Sequence, residues 1–435
     1  MNRPSMSTRA AVLGTAVLAL SALAACASAP QGGATAAPTD GGANGSGAYT
    51  WWDPYPQHDA SSAWAKRVDS CGQQAGVTIK RTAYDTTALT NQALLAGQEG
   101  NAPDVILLDN PAVSTLADAG MLTAMSDVPG SGTTSDFGLD TARFDKNLIA
   151  AGELDGKTYG IPIGANTLAL YYNKKILDAA GVDPKSIKDW ASLDAALKKV
   201  KAAGKKPITF SAIGTEEGSF QFLPWFWGSG AQLTQLDSPQ AVAALDLWTK
   251  WVKDGVAPNS VISNSQNTTW EQFLTGEFAF AENGTWQINS AKKAGFPTGI
   301  VQIPGKDGGT AATPTGGEFI TVPVQKDTKR YDVTKKILEC MTTPEGLVET
   351  GTTFAYYIPS TAEGQQAILA KEPDLKPWVD AVRSAKGRTS DNLGTKYPKI
   401  SEALWTGVQK ALSGAATPAD ALKQAQAQAK QATGN

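Results

Sequence analysis

Short apolar runs alternate along the chain with segments of helical spacing. The run Val105-Ile106-Leu107-Leu108 is continuously apolar, which is typical of a buried parallel strand. Two further strands are predicted before it, at 49–52 and 77–81, and helices are predicted between the strands at 63–75 and 86–97. This β-α-β-α-β order predicts a parallel sheet that is covered by helices on both faces.

The same alternation continues after Gly160 with a second set of elements. Strands are predicted at 168–172, 278–280 and 319–322, and helices at 190–203, around 242–252 and, on the surface, at 418–431. Ser238-Pro239 is a start signal for the second of these helices, because proline suits the first helical turn. Two similar α/β lobes are therefore the simplest prediction from the pattern.

The first 25 residues have the form of an export signal. Arg3 and Arg9 give a positive start, and the apolar run 10–25 is shorter than the roughly 20 residues that a membrane-spanning helix needs. The run leads into Leu23-Ala24-Ala25-Cys26, which resembles the lipobox of bacterial lipoproteins. The resemblance implies cleavage before Cys26 and attachment of a lipid to its sulfur. An ordinary secretory signal with a chance cysteine is the alternative.

The segment after Cys26 has the composition of a linker. Residues 27–48 contain no valine, isoleucine, leucine or aromatic residue, so they cannot bury enough surface to fold. Gly/Ser-rich chain of this kind is flexible. We therefore expect residues 26–48 to be a lipidated tether in front of a globular part that begins near Tyr49.

Composition excludes several classes of function. The 435 residues carry a formal net charge of −3, and removal of residues 1–25, which hold two arginines and no acid, leaves about −5. A mildly acidic surface argues against nucleic acid or anionic lipid as a partner. With one histidine and three cysteines, the chain cannot form a histidine-rich metal site or a structural zinc site. The sequence also contains no nucleotide-binding loop or nucleophile elbow, so we expect no cofactor, no metal and no catalytic residue.

Two observations leave alternatives open. Glutamates could in principle form a glycosidase pair, although nothing in the sequence sets two of them at a defined separation; the candidates are Glu216, Glu217, Glu271, Glu277, Glu282 and Glu318. If Cys26 carries a lipid, Cys71 and Cys340 remain. They could form one disulfide in an exported protein or stay as two buried thiols, and their spacing does not decide between these.

Aromatic residues give the most specific indication of a ligand. Trp51, Trp52 and Tyr55 lie at the carboxyl end of the first predicted strand, which faces the ligand crevice in an open α/β sheet. Others lie beside glycine, proline or asparagine in predicted loops: Phe220, Phe222, Trp225, Phe226, Trp227, Trp286, Tyr356 and Tyr357. Sugars stack their C–H faces on aromatic rings and pair their hydroxyls with polar neighbours. The pattern therefore favours a sugar site, with core packing as the alternative for each single ring.

Several short motifs, in order along the chain, resemble one family. They are 101–105 (Asn-Ala-Pro-Asp-Val), 159–162 (Tyr-Gly-Ile-Pro), 170–174 (Leu-Tyr-Tyr-Asn-Lys), 316–318 (Gly-Gly-Glu) and 343–346 (Thr-Pro-Glu-Gly). Each is weak alone, but together they extend from about Tyr49 to the C-terminus. The chain thus resembles the extracellular solute-binding proteins of carbohydrate ABC importers, which are similar to maltose-binding protein.

The resemblance implies a type II periplasmic-binding-protein-like α/β fold, with two lobes that are each a mostly parallel sheet flanked by helices. Lobe one would comprise 49–164 plus 315–354, and lobe two 165–312 plus 357–435. The ligand would lie in the cleft at the hinge between them. Cys71 and Cys340 would both fall on helices of lobe one, which fits a disulfide between them.

The resemblance also implies a mechanism and a set of partners. A mono- or oligosaccharide would close the lobes, and the permease of an ABC importer would recognise the closed form. The protein would be a monomer held by its lipid on the outer face of a bacterial membrane. The Ala/Gly/Thr-rich signal and low histidine content fit a Gram-positive host.

The positions that match the family's cleft are the candidate ligand contacts. They are Trp51, Trp52, Asp53, Tyr84, Asp85, Asp109, Asn110, Asn166, Trp227, Trp286, Gly316, Gly317, Glu318, Tyr356 and Arg388. Three other hypotheses stay open: the same fold with a polyamine, phosphonate or amino-acid derivative as its ligand, a surface glycoside hydrolase or transglycosylase, and a cell-wall adhesion lipoprotein.

Overall fold

A computed structural model describes residues 48–126, 137, 139–353 and 357–434. The predicted signal segment, Cys26, nearly all of the tether and Tyr356 lie outside the described residues. The strands are Tyr49–Asp53 (β1), Ile79–Ala83 (β2), Val105–Asp109 (β3), Glu153–Leu154 (β4), Lys157–Thr158 (β5), Gly160–Pro162 (β6), Leu168–Asn173 (β7), Lys206–Thr209 (β8), Phe278–Gly284 (β9), Thr298–Val301 (β10) and Glu318–Thr321 (β11).

Helices cover both faces of the sheets, and many begin at a side-chain cap. Ser62, Asp189 and Ser238 each accept a hydrogen bond from a backbone amide in the first turn of the helix that follows. The helices are Ala63–Gln74 (α1), Thr86–Glu99 (α2), Asn110–Asp118 (α3), Lys146–Ile149 (α4), Lys174–Ala179 (α5), Trp190–Ala202 (α6), Glu216–Gly228 (α7), Pro239–Lys253 (α8), Gln266–Leu274 (α9), Ile288–Lys292 (α10), Arg330–Met341 (α11), Pro344–Thr353 (α12), Ala362–Lys371 (α13), Lys376–Arg383 (α14), Tyr397–Leu412 (α15) and Pro418–Thr433 (α16).

The first sheet has the strand order β2-β1-β3-β11-β6. Its pairs β1–β2 and β1–β3 are parallel, which confirms the predicted β-α-β-α-β unit. Strand β11 returns from far along the chain and pairs antiparallel with both β3 and β6. We call the part of the chain built around this sheet lobe one.

The second sheet has the order β10-β7-β9-β8 and defines lobe two. Only β8–β9 is parallel, whereas β7 pairs antiparallel with β9 and with β10. The prediction of a mostly parallel sheet is wrong here. Strand β9 is buried along its whole length. A strand that is covered on both faces is apolar throughout whether its neighbours are parallel or antiparallel, so its sequence does not indicate the direction of pairing. The predicted residue limits of the two lobes stay a prediction.

One helix differs from the sequence prediction. Residues 220–227 were expected in a loop, but they lie within α7, which continues through Pro224. The aromatic side chains of Phe222, Trp225 and Phe226 are fully buried in the core of lobe two, and this packing outweighs the loss of a helical hydrogen bond at proline. Helix α16 forms at the surface as predicted, and its one buried face, which includes Leu422, packs on that same core. Within the described residues, no helix is both long and apolar enough to cross a bilayer.

A disulfide joins Cys71 of α1 to Cys340 of α11, with 5.6 Å between the Cα atoms. It links two parts of lobe one that are 269 residues apart in sequence. We expect the double variant Cys71→Ser/Cys340→Ser to lose about 2–5 kcal/mol of unfolding free energy, because the unfolded chain regains the freedom of a long loop. Urea unfolding checks this, and reduced wild-type protein should match the variant. Equal stability of oxidised wild type and variant would contradict it.

Candidate functional site

The carboxyl end of β3 brings several predicted site residues together. Asp109 is the last residue of β3, and its carboxylate accepts a 2.9 Å hydrogen bond from the amide of Asn110 at the start of α3. In the antiparallel pairing with β11, Glu318 lies directly opposite Asp109. Asn110 Nδ2 donates to the carbonyl of Thr315, 3.0 Å away. Candidates from two distant segments thus meet at one edge of the lobe-one sheet.

Segments that cross between the lobes touch each other beside this edge. Asn166 and Gly316 exchange two backbone hydrogen bonds of 3.0 and 2.9 Å, and Ala165 exchanges two with Ile358. A Cβ on Gly316 would lie 2.0 Å from Asn166 Oδ1. Gly317 has φ of +117°, and a Cβ there would lie 2.6 Å from a backbone oxygen. The positive φ and the backbone contact at Gly317 require glycine, and both glycines lie on the segment that connects β10 of lobe two to β11 of lobe one.

Trp286 and Phe220 form the aromatic part of the site in lobe two. Their ring centroids are 6.3 Å apart with planes inclined by 50°. Trp286 follows β9 and is half-buried, and Gly284 leaves the space that its ring occupies. Phe220 reaches the crossing, because a Cβ on Gly316 would lie 3.0 Å from its ring. An aromatic surface therefore adjoins the crossing residues.

Arg388 contributes the positive charge of the site. Its guanidinium lies 2.6 Å from Asp109 Oδ1 and 2.8 Å from Glu216 Oε1, and its side chain is 2% exposed. Its carbon Cζ lies 5.0 Å from the centroid of the Phe220 ring. Burial alone would lower the pKa of Arg388, but the carboxylates of Asp109 and Glu216 raise it on balance. The positive charge of Arg388 is therefore already balanced by carboxylates of the protein itself.

Glu318 is a buried carboxyl group at the same edge. It accepts a hydrogen bond from the hydroxyl of Tyr357, which lies 3.1 Å from the hydroxyl of Tyr55. Burial, together with the nearby Asp109 carboxylate, raises the pKa of Glu318 to about 7, although the tyrosine hydrogen bonds and Arg388 lower it. The carboxyl group consequently changes its charge near neutral pH.

A pH dependence of stability follows from this raised pKa. The folded state holds the proton of Glu318 more tightly than the unfolded chain, so the stabilisation is complete below the ordinary pKa of 4.5 and is lost as pH rises through about 7. This titration costs the wild type roughly 3 kcal/mol of unfolding free energy as the pH rises, and we expect Glu318→Gln to lack that loss. Urea unfolding from pH 4.5 to 8 measures it, with exposed Glu99→Gln as the control. An unchanged pH profile in Glu318→Gln would rule the assignment out.

Other predicted site residues have contacts that belong to the fold. Trp51 and Asp53 are fully buried, and the Asp53 carboxylate accepts hydrogen bonds from inside lobe one. The Asp85 carboxylate caps α2 by accepting from the amide of Ala88 at 2.9 Å. These contacts explain their positions without a ligand, and we leave all three out of the proposed site.

The remaining candidates are Trp52, Tyr84, Trp227 and Tyr356. Trp52 packs edge-on against Tyr84, with 5.3 Å between centroids, at the carboxyl ends of the neighbouring strands β1 and β2. Trp227 is nearly buried near the end of α7, under the ammonium group of Lys386. Tyr356 is outside the described residues. No contact of these residues tests a ligand role, so that role stays a prediction.

Sequence reasoning missed the residues that support the candidates. Glu216 was considered only as a glycosidase carboxylate, yet it binds Arg388 and accepts from the hydroxyls of Tyr397 and Ser401. The signal for it is weak: an acidic pair, 216–217, at the start of a helix. In the described part of the chain, no cluster of three or more histidine, cysteine, aspartate or glutamate side chains could hold a metal ion.

Comparison with known proteins identifies the family. Residues 66–377 match the sequence model of the family described as bacterial extracellular solute-binding protein. The chain belongs to this family. The relatives of this solute-binding protein include a putative binding protein of Brucella abortus, 28% identical over 207 residues, which are 45% of this chain and 49% of the relative. The chain thus spans about half the length of the Brucella relatives that it matches.

Two further relatives match over more of their length. The maltodextrin-binding protein MdxE of Bacillus subtilis is 28% identical over 336 residues, which are 74% of this chain and 75% of the relative. The maltose-bound structure of MalE3 from T. maritima superposes with a TM-score of 0.76 at 20% identity, covering 88% of this chain and 99% of that one. At this identity the superposition shows the fold. The predicted two-lobed solute-binding fold is confirmed.

Proposed function

We propose that this solute-binding protein captures a neutral mono- or oligosaccharide between its lobes and delivers it to the permease of an ABC importer. The observation that carries the proposal is the half-buried Trp286 ring, packed with Phe220 beside the crossing residues Asn166 and Gly316. An aromatic surface next to an amide at a hinge suits a pyranose, which has apolar C–H faces and a rim of hydroxyls. The maltodextrin-binding relative supports the same class of ligand.

The charges of the site favour a neutral ligand. Arg388 is paired with Asp109 and Glu216, so it does not present an unpaired positive charge to a phosphonate. Polar atoms at the crossing are suited to hydroxyl groups. Asn110 Oδ1 and Thr315 Oγ1 are buried and lack a hydrogen-bond partner among the described residues. A sugar hydroxyl could satisfy either atom once the lobes open to admit it.

Capture requires the ligand to bind the closed state better than the open one. A sugar that stacks on Trp286 of lobe two can also pair with Asn110 of lobe one only when the two lobes approach each other. That difference in affinity shifts the population toward the closed form. Delivery then follows if the permease binds the closed form. A lipid on Cys26 would keep the protein at the outer face of the membrane.

A cationic solute such as a polyamine is the second candidate. Three carboxylates, those of Asp109, Glu216 and Glu318, lie near one arginine at the crossing. This excess of acid would suit an ammonium group if Glu318 were ionised. Because burial raises the pKa of Glu318 to about 7, the excess is only partial at neutral pH.

Calorimetric titration of the anchor-free chain, residues 27–435, tests the proposal. We expect saturable binding of maltose or maltotriose, a melting temperature that rises with sugar concentration, and recovery of the sugar unchanged. Binding of spermidine without sugar binding would favour the second candidate, and cleaved sugar would indicate a hydrolase. The anchor is tested separately: full-length Cys26→Ala expressed in a Gram-positive host should appear in the medium instead of the membrane fraction.

A further inference from the structure

A charged cluster joins the two lobes beside the crossings. Asp109 ends strand β3 of lobe one, Glu216 begins helix α7 of lobe two, and Arg388 lies in the segment after α14. Arg388 Nη2 lies 2.6 Å from Asp109 Oδ1, and its Nη1 lies 2.8 Å from Glu216 Oε1. One buried guanidinium thus binds a carboxylate of lobe one and a carboxylate of lobe two.

The lobe-two part of this cluster is held in place by its own contacts. Tyr397 donates a 2.6 Å hydrogen bond to Glu216 Oε1, and Ser401 donates to Oε2. The Phe220 ring packs against the guanidinium of Arg388. Arg388 is therefore fixed on lobe two by Glu216 and Phe220, while Asp109 belongs to the lobe-one sheet.

We propose that Arg388, positioned by Glu216, sets the ligand affinity by tying Asp109 of lobe one to lobe two before any ligand binds. The inference rests on the hinged closure of the proposed function and not on the identity of the ligand. Separating Asp109 from a guanidinium that is 2% exposed leaves a partly buried charge with one partner fewer, which is costly. The bridge therefore raises the closed fraction of the free protein, and the apparent affinity rises with that fraction.

The nearby charges do not provide a second bridge of this kind. Lys386, two residues before Arg388, pairs with Asp391 at 2.7 Å and with Gln232 at 3.3 Å, which are both on the lobe-two side. Glu318 faces Asp109 within lobe one and hydrogen-bonds to Tyr357. Among the described ion pairs at the crossing, those of Arg388 are the ones that reach both lobes.

Small-angle X-ray scattering and maltotriose titration of residues 27–435 test the proposal together. We expect ligand-free Arg388→Met to have a larger radius of gyration than wild type, and to bind maltotriose at least about fivefold more weakly. Saturating maltotriose should restore the wild-type radius. Glu216→Gln, which leaves the Asp109 contact and the side-chain shape, should shift both quantities in the same direction by less.

The control is Lys376→Met, which removes one positive charge from an exposed pair within α14, the helix before Arg388. It should match wild type in both measurements. Weaker binding by Arg388→Met with an unchanged ligand-free radius would make Arg388 a ligand contact and overturn the bridge. If wild type does not bind maltotriose, the sugar proposal fails, while the ligand-free radii still decide the bridge. Should Arg388→Met not fold, equal radii of Glu216→Gln and wild type would overturn the proposal.

Discussion

Asp53→Ala should destabilise the protein by at least about 4 kcal/mol. The Asp53 carboxylate is fully buried and accepts from the indole N–H groups of Trp51 and Trp64, at 3.1 and 3.0 Å. It also accepts from the amide of Tyr55 at 3.1 Å and from Arg81 Nη2 at 2.7 Å. Alanine would leave these donors without their acceptor, among them a nearly buried guanidinium, and loss of one partner of a buried ion pair alone costs about 3–5 kcal/mol.

Urea unfolding followed by tryptophan fluorescence measures this loss. Asp59→Ala is the matched control, because Asp59 is exposed and its carboxylate accepts hydrogen bonds from Ser61, its near neighbour in the chain. The control should change the unfolding free energy by less than about 1 kcal/mol. Asp53→Asn should fall between the two, since the amide keeps one acceptor oxygen but loses the charge. If Asp53→Ala unfolds at the same urea concentration as Asp59→Ala, the hydrogen bonds to the Asp53 carboxylate do not stabilise lobe one.

Trp286→Ala should weaken sugar binding by about 2 kcal/mol, or roughly thirtyfold in Kd. The substitution removes the half-buried ring that adjoins the crossing and leaves the backbone of β9 intact. Gly284→Ala should have a comparable effect without deleting the ring. A Cβ at Gly284 would lie 2.0 Å from Trp286 Cζ3 and 2.4 Å from Cη2, so the ring must move. Maltotriose titration of both variants measures the effect.

The control for the glycine substitution is Gly295→Ala in the same lobe. A Cβ at Gly295 would have no atom within 4 Å, so this variant should bind maltotriose as the wild type does. Thermal unfolding of each variant shows whether weaker binding has its cause in a disturbed fold. Wild-type affinity in a folded Trp286→Ala protein would remove the aromatic platform from the proposed site.

Local signals along the chain were sufficient to predict most elements of the fold. Strand β3 was predicted from its apolar run, and α8 from Ser238-Pro239, whose serine does cap the helix. Pairing direction could not be predicted for the second sheet, because β7 meets β9 only after more than a hundred residues. The long-range partner of a strand is not encoded in its own periodicity.

The site was predictable in part, through the resemblance to the family. Asp109, Asn166, Gly316 and Arg388 do come together at the crossing. An aspartate after a strand can equally cap a helix or hold a buried arginine, and the sequence does not distinguish these uses. Asp85, for example, caps a helix, and Asp53 is a buried acceptor that binds Arg81.

Strand β11 has a consequence for the order in which the protein is made. It lies between β3 and β6 although it follows them by more than 150 residues, so the lobe-one sheet lacks its central link until residue 321 is available. A chain that emerges N-terminus first therefore exposes one edge of β3 while all of lobe two's sheet is being completed. Premature termination before 318 would yield a product with unpaired edges, prone to aggregation and to degradation. The lobe-one sheet is thus the first of the two sheets to begin along the chain and the last to be completed.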